Sequence, residues 1–186
     1  MSRSARRRYR ETFQISLLGL PGAPATEQVL VAGPDTVLVP LVIQRPLGIV
    51  FEERRLALNA APACVVDEVA PGRCAAVPDA LCESGVDFAF CMRCARSNAE
   101  KAGVKTGDVL RLTTAVVEFR DKVDTMSYYM QAPAARNRRA LLVSDGQPFA
   151  KVMNAIISNS VEVDLPDGTK KVFDDVPLVL ERAAAS

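Results

Sequence analysis

The chain has 186 residues, about half of them apolar, which supports one domain with extensions around a real core. No run approaches the ~20 consecutive apolar residues that cross a bilayer as a helix. The net charge is +1 and there is no histidine, so Ser-His-Asp and Cys-His catalysis and His-ligated metal sites are excluded within this chain.

Charge is unevenly spread. Residues 1–10, MSRSARRRYR, hold Arg3, Arg6, Arg7, Arg8 and Arg10 and no acid, leaving the remainder at −4. Such an arm suits an anionic membrane surface, nucleic acid or an acidic partner; a solvated basic tail is the plain alternative. An Arg- and Ser-rich, acid-poor start is also the composition of an organelle transit peptide. Residues 11–35 are punctuated by Gly19, Pro21, Gly22, Pro24, Gly33 and Pro34. They read as an extended arm with one short strand at 28–31.

From Thr36 the pattern changes. TVLVPLVIQ (36–44) is rich in β-branched residues and predicts a strand, with Pro40 placing it at a sheet edge or bulge. Gly48 then separates two apolar residues in Arg45-Pro46-Leu47-Gly48-Ile49-Val50, ahead of a second strand at 49–53. Glycine there permits a sharp turn or a close approach. ACVVDEVAPG (63–72) is a third strand, stopped by Pro71-Gly72. Ser97 or Asn98 caps a short helix over 99–102 that Gly103 ends in the left-handed conformation. A turn at 105–108 precedes a strand at 109–117, and another strand follows at 139–144. PFAKVMNAIIS (148–158) places Phe149, Val152, Met153, Ile156 and Ile157 on one helical face, with Pro148 in the first turn. Residues 161–173 form a hairpin around Asp167-Gly168, and 176–183 are the last strand. The order predicts a small α+β fold, mainly β, or a partly open barrel. No GxxxxGK[ST], GxGxxG or GxSxG occurs, so the motifs that cradle phosphate or present a nucleophilic serine are absent.

Four of the five cysteines lie in an insertion at 73–95: Cys74, Cys82, Cys91 and Cys94. Cys91 and Cys94 form a CxxC. Four thiolates suit a structural zinc, but two CxxC knuckles are the usual arrangement and only one is present. Two disulfides, one redox-active pair favoured by Arg93, or unpaired thiols with a buried Cys64 are the other readings.

Three of these stretches together resemble a PDZ domain. Arg45-Pro46-Leu47-Gly48-Ile49-Val50 is similar to the carboxylate-binding loop, 97–112 to the passage from short helix to strand with its Ala-Gly and Gly-Asp pairs, and 148–157 to the long helix beside the peptide groove. The resemblance covers residues 36–183, with 1–35 as a basic N-terminal arm. It implies a partly open small barrel of five to six strands with one short and one long helix. It also implies a non-enzymatic binding or scaffold protein. Leu47, Gly48 and Ile49 would offer amides to a C-terminal carboxylate; Ile49, Val50 and Phe51 would offer a strand edge; Val152 and Ile156 would line the groove. Its partner would be a protein tail or added strand, or a large membrane-protein complex, with no nucleic acid expected. Many PDZ domains carry a His early in the long helix; Pro148-Phe149 stands there here, which implies an apolar ligand side chain. The wording is most similar to PDZ-like domains of plant and algal plastid proteins, implying a chloroplast protein peripheral to the thylakoid, and otherwise a cytoplasmic one. A thiol-disulfide protein and a regulatory module for a separate protease are the alternatives.

Overall fold

The computed structural model describes residues 10–17, 25–56, 61–71, 96–120 and 135–184. The fold is α+β and mainly β. Its strands are β1 (Arg10–Ser16), β2 (Ala25–Val31), β3 (Thr36–Gln44), β4 (Ile49–Arg55), β5 (Pro62–Val69), β6 (Val109–Phe119), β7 (Arg136–Val143), β8 (Val163–Asp164), β9 (Lys170–Lys171) and β10 (Asp175–Ala183). The helices are α1 (Asn98–Ala102) and α2 (Phe149–Ser158).

The main sheet has the order β3-β10-β6-β5-β4, with β7 added to β6, and every pairing is antiparallel. Among the described residues it is open and not closed into a barrel: β3 and β4 end the strand order, and β7 also pairs on one side only. These two strands are consecutive in the chain and joined only by residues 45–48. The sheet must therefore curl until its ends approach at the glycine loop, using the twist native to paired strands. Pro40 lies on β3, an edge strand, where a missing backbone N–H is tolerated.

Both faces of β10 are buried. Val176, Leu178 and Leu180 point into a core shared with Ile43, Phe51, Val66, Leu110, Val152 and Ile156 beneath the helices. Val179 points the other way, into a second core with Leu30, Ala32, Leu38 and Leu112. Strand alternation accounts for the split.

The second core corrects the expectation of an extended arm. Residues 10–16 and 25–31 pair as antiparallel strands, with Arg10 opposite Val31 and Ser16 opposite Ala25. Its Leu30 is buried, and Phe13 and Ile15 pack against the same cluster. The alternating apolar residues at 13, 15 and 30 carried the signal, but the density of Gly and Pro between the two strands masked it. A carboxylate fixes the junction. Glu181, 8 % exposed, accepts from the Gly33 amide at 2.6 Å, from the Thr36 hydroxyl and from Arg111, whose Nη2 also reaches Val31 O at 3.2 Å.

Several expected features are present. Ser97 caps α1 in a reciprocal box with Glu100, and Gly103 ends it with φ 75°. The Gly107-Asp108 turn has a structural purpose: buried Asp108 accepts from the Lys105 amide at 2.9 Å and from Arg182 Nε at 2.7 Å. The hairpin at 161–173 narrows to the two-residue strands β8 and β9. Pro148 is the N-cap of α2, just before the first helical residue.

The end of α2 does unexpected work. β10 last faces β6 at Thr113, so the edge of β6 beyond that point loses its strand partner. Side chains replace it: Asn159 Nδ2 donates to Thr114 O at 2.7 Å, and Val116 N–H donates to Ser158 Oγ at 2.8 Å. Buried backbone groups need such partners.

Candidate functional site

The loop at 45–48 is held from within the chain by the Arg45 amide at its start and by its carbonyls thereafter. Arg45 N–H donates to Asp174 O at 2.7 Å. Asn98 Nδ2, at the start of α1, donates to Gln44 O at 2.9 Å and Pro46 O at 3.2 Å. The Ala99 amide donates to Leu47 O, and the Ala70 amide to Gly48 O at 2.9 Å. Gly48 has φ 70°, and a Cβ built there would meet Ser97 Cβ at 2.9 Å. The glycine thus answers first to the protein's own packing, with left-handed backbone pressed against the α1 cap.

Turning the carbonyls inward turns the amides outward. Among the described residues, the Leu47 and Gly48 amides donate to no protein acceptor. Ile49 follows from the ladder: the Ala70 to Gly48 bond brackets Ile49 and Val69 as a non-hydrogen-bonded pair, so the Ile49 N–H points away from β5. Three consecutive amides therefore stand at the head of the open edge of β4.

The side chains around this edge are sorted by the phase of α2. Val152, expected on a groove wall, is 1 % exposed and sits inside the core, and Ile156 is buried beside it. The buried face of α2 is centred on Val152, Ala155 and Ile156, leaving Ile157 61 % exposed. Phe149 and Met153 occupy the flank. They are half-buried and pack on the same cluster as Leu47 and Ile49. On β4, Phe51 faces the core while Val50 points outward, 45 % exposed. Periodicity finds the apolar stripe but does not place its centre: Val152 and Ile156, the expected wall residues, lie on its buried face, and Phe149 and Met153 on its half-buried flank.

Other polar groups serve the fold. Burial disfavours the charge on Glu181, but hydrogen bonds from Thr36 and Gly33 and the Arg111 charge outweigh it and hold the carboxyl below the ordinary glutamate range. A cavity of about 300 Å³ beside this group is lined by Val31, Ala32, Gly33, Pro34 and Arg111. The Arg111 guanidinium that faces it is engaged by Glu181 and Asp145. Cys64 is a free thiol, 5 % exposed, and burial pushes it up to about 12. A thiol so protonated is a small apolar core residue and not a nucleophile.

Cys74, Cys82, Cys91 and Cys94, and Arg3, Arg6, Arg7 and Arg8, lie outside the described residues; Arg10 begins β1 and is exposed. Among the described residues no group of three or more His, Cys, Asp or Glu side chains could hold a metal ion, and no helix is long and apolar enough to cross a membrane. Comparison with protein-family models, with characterised proteins and with solved structures finds no match.

Proposed function

We propose that this chain is a non-enzymatic, PDZ-like binding module. Its ligand is an extended segment that adds to the open edge of β4 and seats a C-terminal carboxylate on the amides of Leu47, Gly48 and Ile49. The observation that carries this reading is the set of outward amides at the head of β4, whose edge away from β5 has no strand partner among the described residues. Backbone donors give a carboxylate charge-assisted hydrogen bonds, and an unpaired edge gives the rest of the segment a ladder. The neighbouring side chains set the class of ligand. Leu47, Ile49, Phe149 and Met153 are all apolar and half-buried, so the terminal residue and the residue two before it are apolar. On the likeness in wording to thylakoid-associated plastid proteins, the partner is a subunit of a photosynthetic complex, which this chain helps to assemble or stabilise from the membrane periphery.

The test is a fluorescence titration with two peptides of one sequence ending Leu-Phe-Val, one a free acid and one amidated. Capture of the carboxylate predicts that amidation weakens binding at least about tenfold, about the loss of one charge-assisted hydrogen bond. Equal affinity for both peptides, or for neither, removes the carboxylate from the proposal.

A further inference from the structure

Arg139 on β7 is a charged residue whose side chain has no exposed surface. Its Nε donates to Asn159 Oδ1 at 3.1 Å, at the C-terminal end of α2. Its Nη2 donates to the backbone oxygen of Asp175, the first residue of β10. Its Nη1 makes no hydrogen bond and lies 3.6 Å from the Asp175 carboxylate. The guanidinium also lies 4.8 Å from the ring of Phe173.

Stability alone does not explain this residue. A buried arginine is costly to desolvate, and an apolar side chain of similar volume is often as good or better. This one leaves a donor unfilled besides, and burial lowers its pKa. What it does supply is a rigid fork between parts of the fold that belong to the candidate site. Asn159 anchors the end of α2 to β6 through Thr114. Asp175 is preceded by Asp174, whose carbonyl receives the Arg45 amide at the base of the glycine loop. One guanidinium thus spans from the end of the helix to the strand entry that holds the loop.

We propose that Arg139 is a positioning residue that fixes the glycine loop relative to α2, and so sets the geometry with which the outward amides and the Phe149–Met153 flank meet a ligand. This rests on the peptide-binding reading for its consequence, though not for its mechanics. The planar fork matters as well as the charge, because two of its nitrogens hold two different elements at once.

The experiment measures amide hydrogen exchange and peptide affinity together. Arg139→Met keeps volume and removes fork and charge; Asp175→Asn leaves Arg139 in place and weakens only the ion pair. In a folded Met variant the Arg45 amide is expected to exchange about fivefold faster while β5 and β6 amides are unchanged, and affinity for the free-acid Leu-Phe-Val peptide to fall about fivefold. Arg139→Lys should restore the charge without restoring either value. If the Met variant does not fold, Arg139→Lys decides, because it keeps the charge and removes the fork, and the same changes in the same direction are expected; Asp175→Asn, which leaves both fork bonds in place, should change little. Unchanged Arg45 exchange in the folded variant, or acceleration shared equally by all strands, overturns the proposal. Faster Arg45 exchange in a protein that binds no peptide upholds the positioning role and removes the peptide reading instead.

Discussion

Gly48 and Ser97 touch across the opening of the candidate site: a Cβ on Gly48 would come within 2.9 Å of Ser97 Cβ and 3.3 Å of its hydroxyl. The residue that caps α1 is therefore also the floor under the glycine turn. Loop and helix are one packed unit, further joined by Asn98 and Ala99 through the loop carbonyls.

The first prediction follows from that contact. Gly48→Ala is expected to destabilise the free protein by about 2–4 kcal/mol, from left-handed backbone strain and overpacking together. Gly168 has a similar φ of 83° but open space around its Cβ, so Gly168→Ala should cost only about 1 kcal/mol. Urea unfolding of both variants checks the difference. Equal losses would mean that Ser97 gives way and the loop is softer than described. A Gly48→Val variant that stops binding would report folding as much as recognition.

The helix makes a second pair distinguishable. Ile156 and Ile157 are neighbours, but Ile156 is 8 % exposed and Ile157 61 %. Ile156→Ala should cost ~2–5 kcal/mol, whereas Ile157→Ala should stay within about 0.5 kcal/mol. Thermal unfolding of the two single variants decides it. A large loss at Ile157 would put the helix in a different phase and bring Val152 back to the surface.

Much of this fold is legible in the sequence because local signals agreed with global packing. β3 is legible with its observed bounds because TVLVPLVIQ is β-branched and nearly continuous, and α1 because a cap and Gly103 occur at the right spacing around Ala99 to Ala102. The N-terminal hairpin is not legible because its apolar residues, Phe13, Ile15 and Leu30, share a core with Leu112, Leu141 and Val179, far away in sequence. The polar network of Thr114, Arg139 and Asn159 was equally invisible. Asn159 looks like an ordinary helix end until the departure of β10 from β6 exposes the backbone that it serves. In the candidate site, the loop was legible from its glycine, but the helical flank was not, since a stripe of five apolar residues has no mark for its centre.

A third prediction concerns acid. The Glu181 carboxyl is held below its ordinary value of 4.5, so the stability it contributes is complete above that pH and is lost as pH falls through the lowered value. Because it joins Gly33 and Thr36 to Arg111, that loss should loosen the N-terminal hairpin first. Protection of β2 amides should fall on acidification below pH 4.5 in the wild type. Glu181→Gln should show the weakened protection already at neutral pH and lose the pH dependence. An unchanged pH profile in the Gln variant would assign the acid sensitivity to another carboxylate.

The most direct test of the central claim is amide chemical-shift mapping of the full chain during titration with the free-acid Leu-Phe-Val peptide. Binding at the open edge of β4 predicts the largest shifts at the amides of Leu47, Gly48 and Ile49, smaller ones at Phe51, Phe149 and Met153, and at least about tenfold more amidated peptide to reach the same shifts. Shifts confined to other surfaces, or no shift at Leu47, Gly48 and Ile49 at saturating peptide, would contradict it.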